Sequence, residues 1–202
     1  MSKTRNNVTP YSIILILVTS LVSACSNSNN GPSSTNVGNI GPGGGIVFAL
    51  FDDNIDNISG LEVTQASIGE AAWGCEGVVV DAGIGDRPSN GIGVPVGFET
   101  SEIIREANST GICLAEAAQL TFEFMQNGRQ DWFLPSTDEL LLIRDLDLLA
   151  GGEGDAFWSS TEDTAQNAFA VLIRSLANDF DNGEPSTNSK TTVANVVAIR
   201  RF

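Results

Sequence analysis

Residues 38–202 carry strand patterns at both ends and helical patterns only between them, and this order limits the fold more than any other feature. "GGIVFALF", bounded by glycine before it and by "DDNIDN" after it, reads as the first strand. "GLEVTQAS" reads as the second, with Leu61 and Val63 on one face and Glu62 and Thr64 on the other. A glycine-punctuated region from Gly69 to Gly97 follows, in which "EGVVVDAG" is a candidate short strand. "AFWSST", "AFAVLIRS" and "NVVAIRRF" end the chain, separated by turn-rich "EDTAQN" and "LANDFDNGEPSTNSKTTVA". A chain that stops inside a strand has its terminus held in a sheet. The order predicts an α+β domain whose antiparallel sheet brings both ends of the domain together.

The middle, from about Ser101 to Leu149, reads as two main helices. In "TGICLAEAAQLTFEFMQNG" the residues Ile112, Ala115, Ala118, Phe122 and Met125 recur at helical spacing, and Gly128 after Asn127 supplies a stop. The later helix has a sharper start. Pro135 ends the extended "DWFL", Ser136 caps, and Glu139 completes an S-x-x-E capping box ahead of "LLLIRDLDLL".

What precedes residue 38 has a different character. Lys3 and Arg5 open the chain, and "YSIILILVTSLV", Tyr11 to Val22, is an apolar block of twelve residues. That is short for a bilayer span, which needs about 20 residues, and suits the core of a signal peptide. The segment "VSAC" then resembles the lipobox of bacterial lipoprotein precursors, in which cleavage precedes a cysteine that carries lipid. The resemblance implies residues 1–24 as a signal peptide and Cys25 as the lipidation site, with acyl chains holding the protein on a membrane at about 0.8 kcal/mol per buried methylene. An ordinary secretory signal with a chance cysteine is the plainer alternative. Residues 25–37, "CSNSNNGPSSTNV", have no apolar periodicity and read as a flexible polar tether. With Ser26 after the cysteine, the resemblance points to the bacterial cell envelope, as an outer membrane lipoprotein facing the periplasm or the exterior.

Charge and missing residue types exclude several functions. The chain of 202 residues has a net charge of −15; without Lys3 and Arg5 it keeps 8 basic side chains against 25 acidic ones, or −17. Such an excess repels phosphate backbones, so nucleic acid is a poor partner, and sulfated polysaccharide is no better. The chain has no histidine, which removes Ser-His-Asp and Cys-His hydrolases and most transition-metal sites. Paired carboxylates remain available for glycosidase chemistry, but acidic residues stand in nearly every loop and spacing selects no pair. "GPGGG" at 41–45 lacks the Lys-Ser/Thr ending of a phosphate cradle and reads as a tight turn. Once Cys25 carries lipid, Cys75 and Cys113 form an even pair in an exported chain, which predicts one disulfide closing a loop of nearly forty residues.

The ordered set "GPGGGIVF", "GLE", "WGC", "DWFLPSTDEL", "FWSSTE" and "VAIRRF" resembles the Lcl C-terminal domain family of bacterial exported modules, over residues 38–202. That resemblance implies a C-type-lectin-like fold, a twisted antiparallel sheet with two helices and long loops. It also implies a binding or adhesion role toward glycan or protein ligands, without catalysis. A carbohydrate-active enzyme using paired carboxylates and a structural envelope lipoprotein, such as a homotrimer, are the competing readings. Trp132, Leu134, Pro135, Ser136, Glu139, Trp158, Ser159 and Ser160 read as scaffold, large apolar area beside hydroxyls that satisfy turn backbone. In lectin-like scaffolds contact falls between the last strands. The candidate ligand-binding residues are therefore Glu162, Asp163, Asn167, Asn178, Asp179, Asp181, Asn182, Asn188 and Lys190. Short oxygen-bearing side chains in that stretch, with Asp52, Asp53, Asn54 and Asp56 in the first loop, are candidate calcium ligands; solvated turns are the alternative.

Overall fold

The computed structural model describes residues 35–55, 57–80, 96–149, 155–172 and 185–202. In chain order its elements are β1 (Ile46–Ile55), β2 (Ile58–Val63), β3 (Gly69–Ala72), α1 (Val96–Ser109), α2 (Glu116–Glu123), α3 (Thr137–Asp145), β4 (Ala156–Glu162), β5 (Asn167–Leu172), β6 (Ser186–Ser189), β7 (Val193–Val196) and β8 (Ile199–Arg201). The fold is α+β. Instead of the single antiparallel sheet expected, there are two sheets, β1-β2-β8 and β3-β7-β4-β5-β6, and the second contains a parallel β4–β7 pair. The closing run "NVVAIRRF" causes the split. Val197 and Ala198 carry it out of one sheet and into the other, so one apolar pattern makes both β7 and β8.

The terminus is held as its pattern predicts. β8 pairs with β2, Leu61 opposite Arg201, and the Phe202 carbonyl accepts from the Ser59 and Gly60 amides at 2.6 and 3.1 Å. On its other edge β8 meets the extended "DWFLP" segment, where Phe133 and Ile199 exchange backbone hydrogen bonds of 2.9 Å each.

Alternation along β4 and β5 divides the interior in two. Phe157 and Val171 point into a core with Phe48, Leu61, Val63, Leu140, Ile143 and Ile199. Their neighbours Trp158, Ala168 and Ala170 point into the other, with Trp73, Ile104, Ala117, Ala118 and Val196. Helix α3 thus covers one face of the larger sheet and the α1–α2 pair the other. The serines of the "WSS" motif are buried with their hydroxyls hydrogen-bonded. Ser159 Oγ donates to the Phe169 carbonyl at 2.9 Å, Ser160 Oγ meets Thr100 Oγ1 at 2.5 Å, and Trp73 Nε1 donates to the Ser159 carbonyl at 2.8 Å.

Among the described residues three helices form where two main ones were expected, and their bounds also differ from the sequence pattern. α1 begins at Val96, five residues before Ser101. α2 is short and buries Ala117, Ala118 and Thr121, while Ile112 and Met125, expected on its apolar stripe, lie outside it and are each 61% exposed. Asn127 and Gly128 do not stop a helix. With φ of 50° and 71° they form a two-residue turn, and Gln126 and Arg129 pair across it. α3 does start on the expected box: Glu139 Oε2 accepts from the Ser136 amide at 2.7 Å, and Ser136 Oγ accepts from the Glu139 amide at 3.3 Å. Two strands carry no apolar signature, "GEAA" at β3 and "STNS" at β6, each an outer strand of the larger sheet. Residues 76–80 of "EGVVVDAG" form a turn and irregular chain, and 81–83 lie outside the described residues.

The glycine-rich turn has an internal occupant. Glu62, fully buried on β2, accepts from the Gly43 amide at 2.8 and 3.0 Å and from the Gly45 amide at 3.1 Å. Arg200 Nη1 reaches the same carboxylate at 2.9 Å, and Arg200 Nε binds Asp131 at 2.5 Å. Burial is the largest single influence on the Asp131 carboxyl and would raise it, but the Arg200 hydrogen bond, a backbone hydrogen bond and the Arg200 and Arg129 charges together outweigh it and hold the pKa below the usual range. A Cβ at Gly41 would stand 2.5 Å from Glu62 Oε2, so the turn must be glycine there to close over the carboxylate. "GPGGG" is an anion cradle whose anion belongs to the same chain.

Candidate ligand-binding surface

Past β3 the chain turns sharply through Trp73-Gly74-Cys75. Gly74 and Cys75 both have positive φ, 88° and 55°, and a Cβ at Gly74 would stand 2.8 Å from the Glu116 nitrogen. The turn lays Cys75 against the α1–α2 connection, where its amide donates to the Leu114 carbonyl at 2.7 Å and its sulfur is bonded to Cys113, with Cα atoms 4.8 Å apart. On its other side the segment meets the β4–β5 turn, the Gly77 amide donating to the Ala165 carbonyl at 2.9 Å. Four pieces of chain therefore converge: residues 74–80, the α1–α2 connection, the β4–β5 turn and the turn that follows β6.

A buried ion pair fixes the convergence. Lys190 Nζ stands 2.5 Å from Glu162 Oε1, donates to the Val78 carbonyl at 2.8 Å and lies 4.7 Å from the centre of the Trp73 ring. The Val80 amide donates to both Glu162 oxygens at 3.1 Å. Neither side chain has any exposed surface. The expectation that Glu162 and Lys190 touch ligand is thus corrected: each satisfies the other, and together they hold the 74–80 segment from beneath. Arg200 is likewise buried, in its pair with Glu62.

Above this pair opens a cleft of about 420 Å³. Val78, Ile112 and Leu114 give it apolar walls, Glu76 and Glu116 stand at its rim, and the disulfide lies in its lining. Ile112 is shared with an adjoining depression of about 280 Å³ lined by Val79, Ile103 and Glu106. Among the described residues lining both, Lys190 is the one base, and Glu162 neutralises it. A separate depression of about 530 Å³ lies between the glycine-rich turn and the Asn127 turn, with Gln65, Ser67 and Gln126 in its lining.

The other predicted contact residues are scattered. Asp163 closes the β4–β5 turn with its amide on the Asn167 carbonyl at 3.0 Å; Asn167 starts β5 opposite Ser189. Asn188 sits on β6, its Nδ2 donating to the Ser186 carbonyl at 3.3 Å. Asn178, Asp179, Asp181 and Asn182 lie outside the described residues, as do Cys25 and Asp56. Asp52, Asp53 and Asn54, expected in a loop, extend β1, because that strand runs on to Ile55. Among the described residues no cluster of three or more acidic or sulfur ligands is placed to hold a metal, and no helix is long and apolar enough to cross a membrane. Sequence reasoning missed Glu76, Leu114 and Glu116. The usable signal was two large apolar residues flanking Cys113, Ile112 and Leu114, of which the helical reading placed Ile112 on an apolar stripe and left Leu114 without a role.

No protein-family profile matches the chain, and no curated protein does. Among solved structures, a fimbrial protein from Bacteroides ovatus ATCC 8483 is similar at 16% sequence identity with a TM-score of 0.48. The similarity covers 76% of this chain and 39% of that one, so this chain spans well under half of that protein's length.

Proposed function

We propose that this chain is an envelope lipoprotein, anchored through Cys25, whose C-type-lectin-like domain of the Lcl C-terminal type binds a glycan or protein ligand without transforming it. The observation that carries the reading is the cleft beside Cys75–Cys113. It combines exposed apolar side chains, Leu114 at 75% and Ile112 at 61%, with a backbone braced by a disulfide and a buried ion pair. Large apolar residues held exposed on a braced loop surface favour contact with a partner over self-burial. The apolar block ahead of "VSAC" and the polar tether after it support the anchor.

Two measurements test the proposal. Metabolic labelling with a palmitate analogue should mark the protein, and Cys25→Ser should abolish the label. The purified full chain in detergent, probed on glycan and protein arrays with and without calcium, should give binding that Leu114→Ser lowers at unchanged thermal midpoint. An unlabelled protein with its leader intact, or Leu114→Ser that binds like the parent, would count against it.

A further inference from the structure

Resting on the reading of this cleft as a binding surface, we propose that it takes a basic, partly apolar peptide segment of a partner protein, with lysine or arginine side chains alternating with aliphatic ones. The described surface exposes ten large hydrophobic residues, and four of them, Val79, Ile103, Ile112 and Leu114, line these two adjoining depressions. Such concentration is what a contact patch shows and a random scatter does not. Carboxylates surround the strip: Glu76 and Glu116 on one depression, Glu106 on the other, all exposed. The base in the lining, Lys190, is already paired with Glu162, so the strip presents acid without a free counter-ion among its described residues. The chain's net charge of −15 extends the same field outward. Apolar walls select aliphatic side chains, the acidic rim selects cations, and the combined charge repels anionic headgroups and acidic peptides.

The test uses fluorescent decapeptides and the full chain in neutral detergent, read by anisotropy at low and high salt. A Lys/Leu alternating peptide should bind, a Glu/Leu peptide should not, and a Lys/Ser peptide should bind at least tenfold more weakly than Lys/Leu. Neutralising the rim with Glu76→Gln, Glu106→Gln and Glu116→Gln together should weaken Lys/Leu binding at least tenfold. The equal charge change at exposed Glu70, Glu99 and Glu123, which do not line the strip, should weaken it less than twofold. Ile112→Ser with Leu114→Ser should cost tenfold or more at unchanged thermal midpoint. Equal losses from the two glutamate triples would show attraction to net charge alone and overturn the proposal, as would no binding. Two other occupants would also overturn it. One is residues 81–95, revealed if binding arises only after they are replaced by a Gly-Ser linker; the other is a second copy, revealed by a dimer that Ile112→Ser dissolves. If peptides fail while an array glycan binds and Leu114→Ser abolishes it, the basic-peptide chemistry falls and the binding-module reading stands; if neither binds, both fall.

Discussion

Glu62 is a carboxylate removed from water and held by two backbone amides and a guanidinium, an arrangement stable only while every partner is present. Removing Arg200 leaves that charge buried with backbone dipoles alone. Arg200→Ala should therefore lower unfolding stability by about 3 kcal/mol or more, measured by urea denaturation. The double variant with Glu62→Ala should lose less than the sum of the two single changes, since the second deletion removes a charge already stranded. Additive losses would mean that the two groups do not depend on each other. Glu62 also shows how far a residue pattern can be read. Alternation placed it opposite Leu61 and Val63, which is correct, but both faces of β2 are buried, because the glycine turn and Arg200 cover the second one.

At the scale of an element, α3 carries another buried carboxylate, Glu139. Burial raises the Glu139 pKa to about 7 from 4.5; hydrogen bonds from Ser136 and the Gly97 amide oppose the rise without cancelling it, and Asp138 adds to it. One oxygen, Oε1, has no hydrogen-bond partner. Because the folded state holds its proton more tightly than the unfolded chain, this group's contribution is full below pH 4.5 and is lost as pH rises through about 7. The shift corresponds to about 3 kcal/mol. Glu139→Gln keeps an acceptor for the Ser136 amide and does not titrate. The stability of the parent relative to this variant should accordingly fall by about that amount between pH 4.5 and 8, and a constant difference across that range would refute the assignment. The S-x-x-E spacing was legible because a capping box is local, four residues long and self-contained. The extent of α2 was not: its apolar spacing ran on through Ile112 and Met125, and only packing against β3 decided which turns of it would form.

For the molecule as a whole, the Cys75–Cys113 bond joins residues 38 positions apart and ties the segment after β3 to the start of α2. A loop of that length restricts the unfolded chain enough to contribute about 3 to 4 kcal/mol. Cys75→Ser with Cys113→Ser should lower stability by about that amount. It should also weaken whatever ligand the cleft holds, since Cys75, Cys113 and Leu114 line the same space. Intact affinity in the double variant would mean that the cleft is shaped without the bond.

The sequence by itself determined what depends on neighbours along the chain, the strand-helix-strand order, the start of α3 and a last strand held in a sheet, and it determined the cysteine pairing by leaving one even pair. Tertiary structure decided what depends on residues far apart. It divided the closing run between two sheets, supplied Glu62 with an arginine 138 positions away, and sank Glu162 and Lys190 beneath the surface they had been expected to form. Alternation and spacing report which side a residue faces, while burial of a charge depends on whether a distant partner arrives to neutralise it.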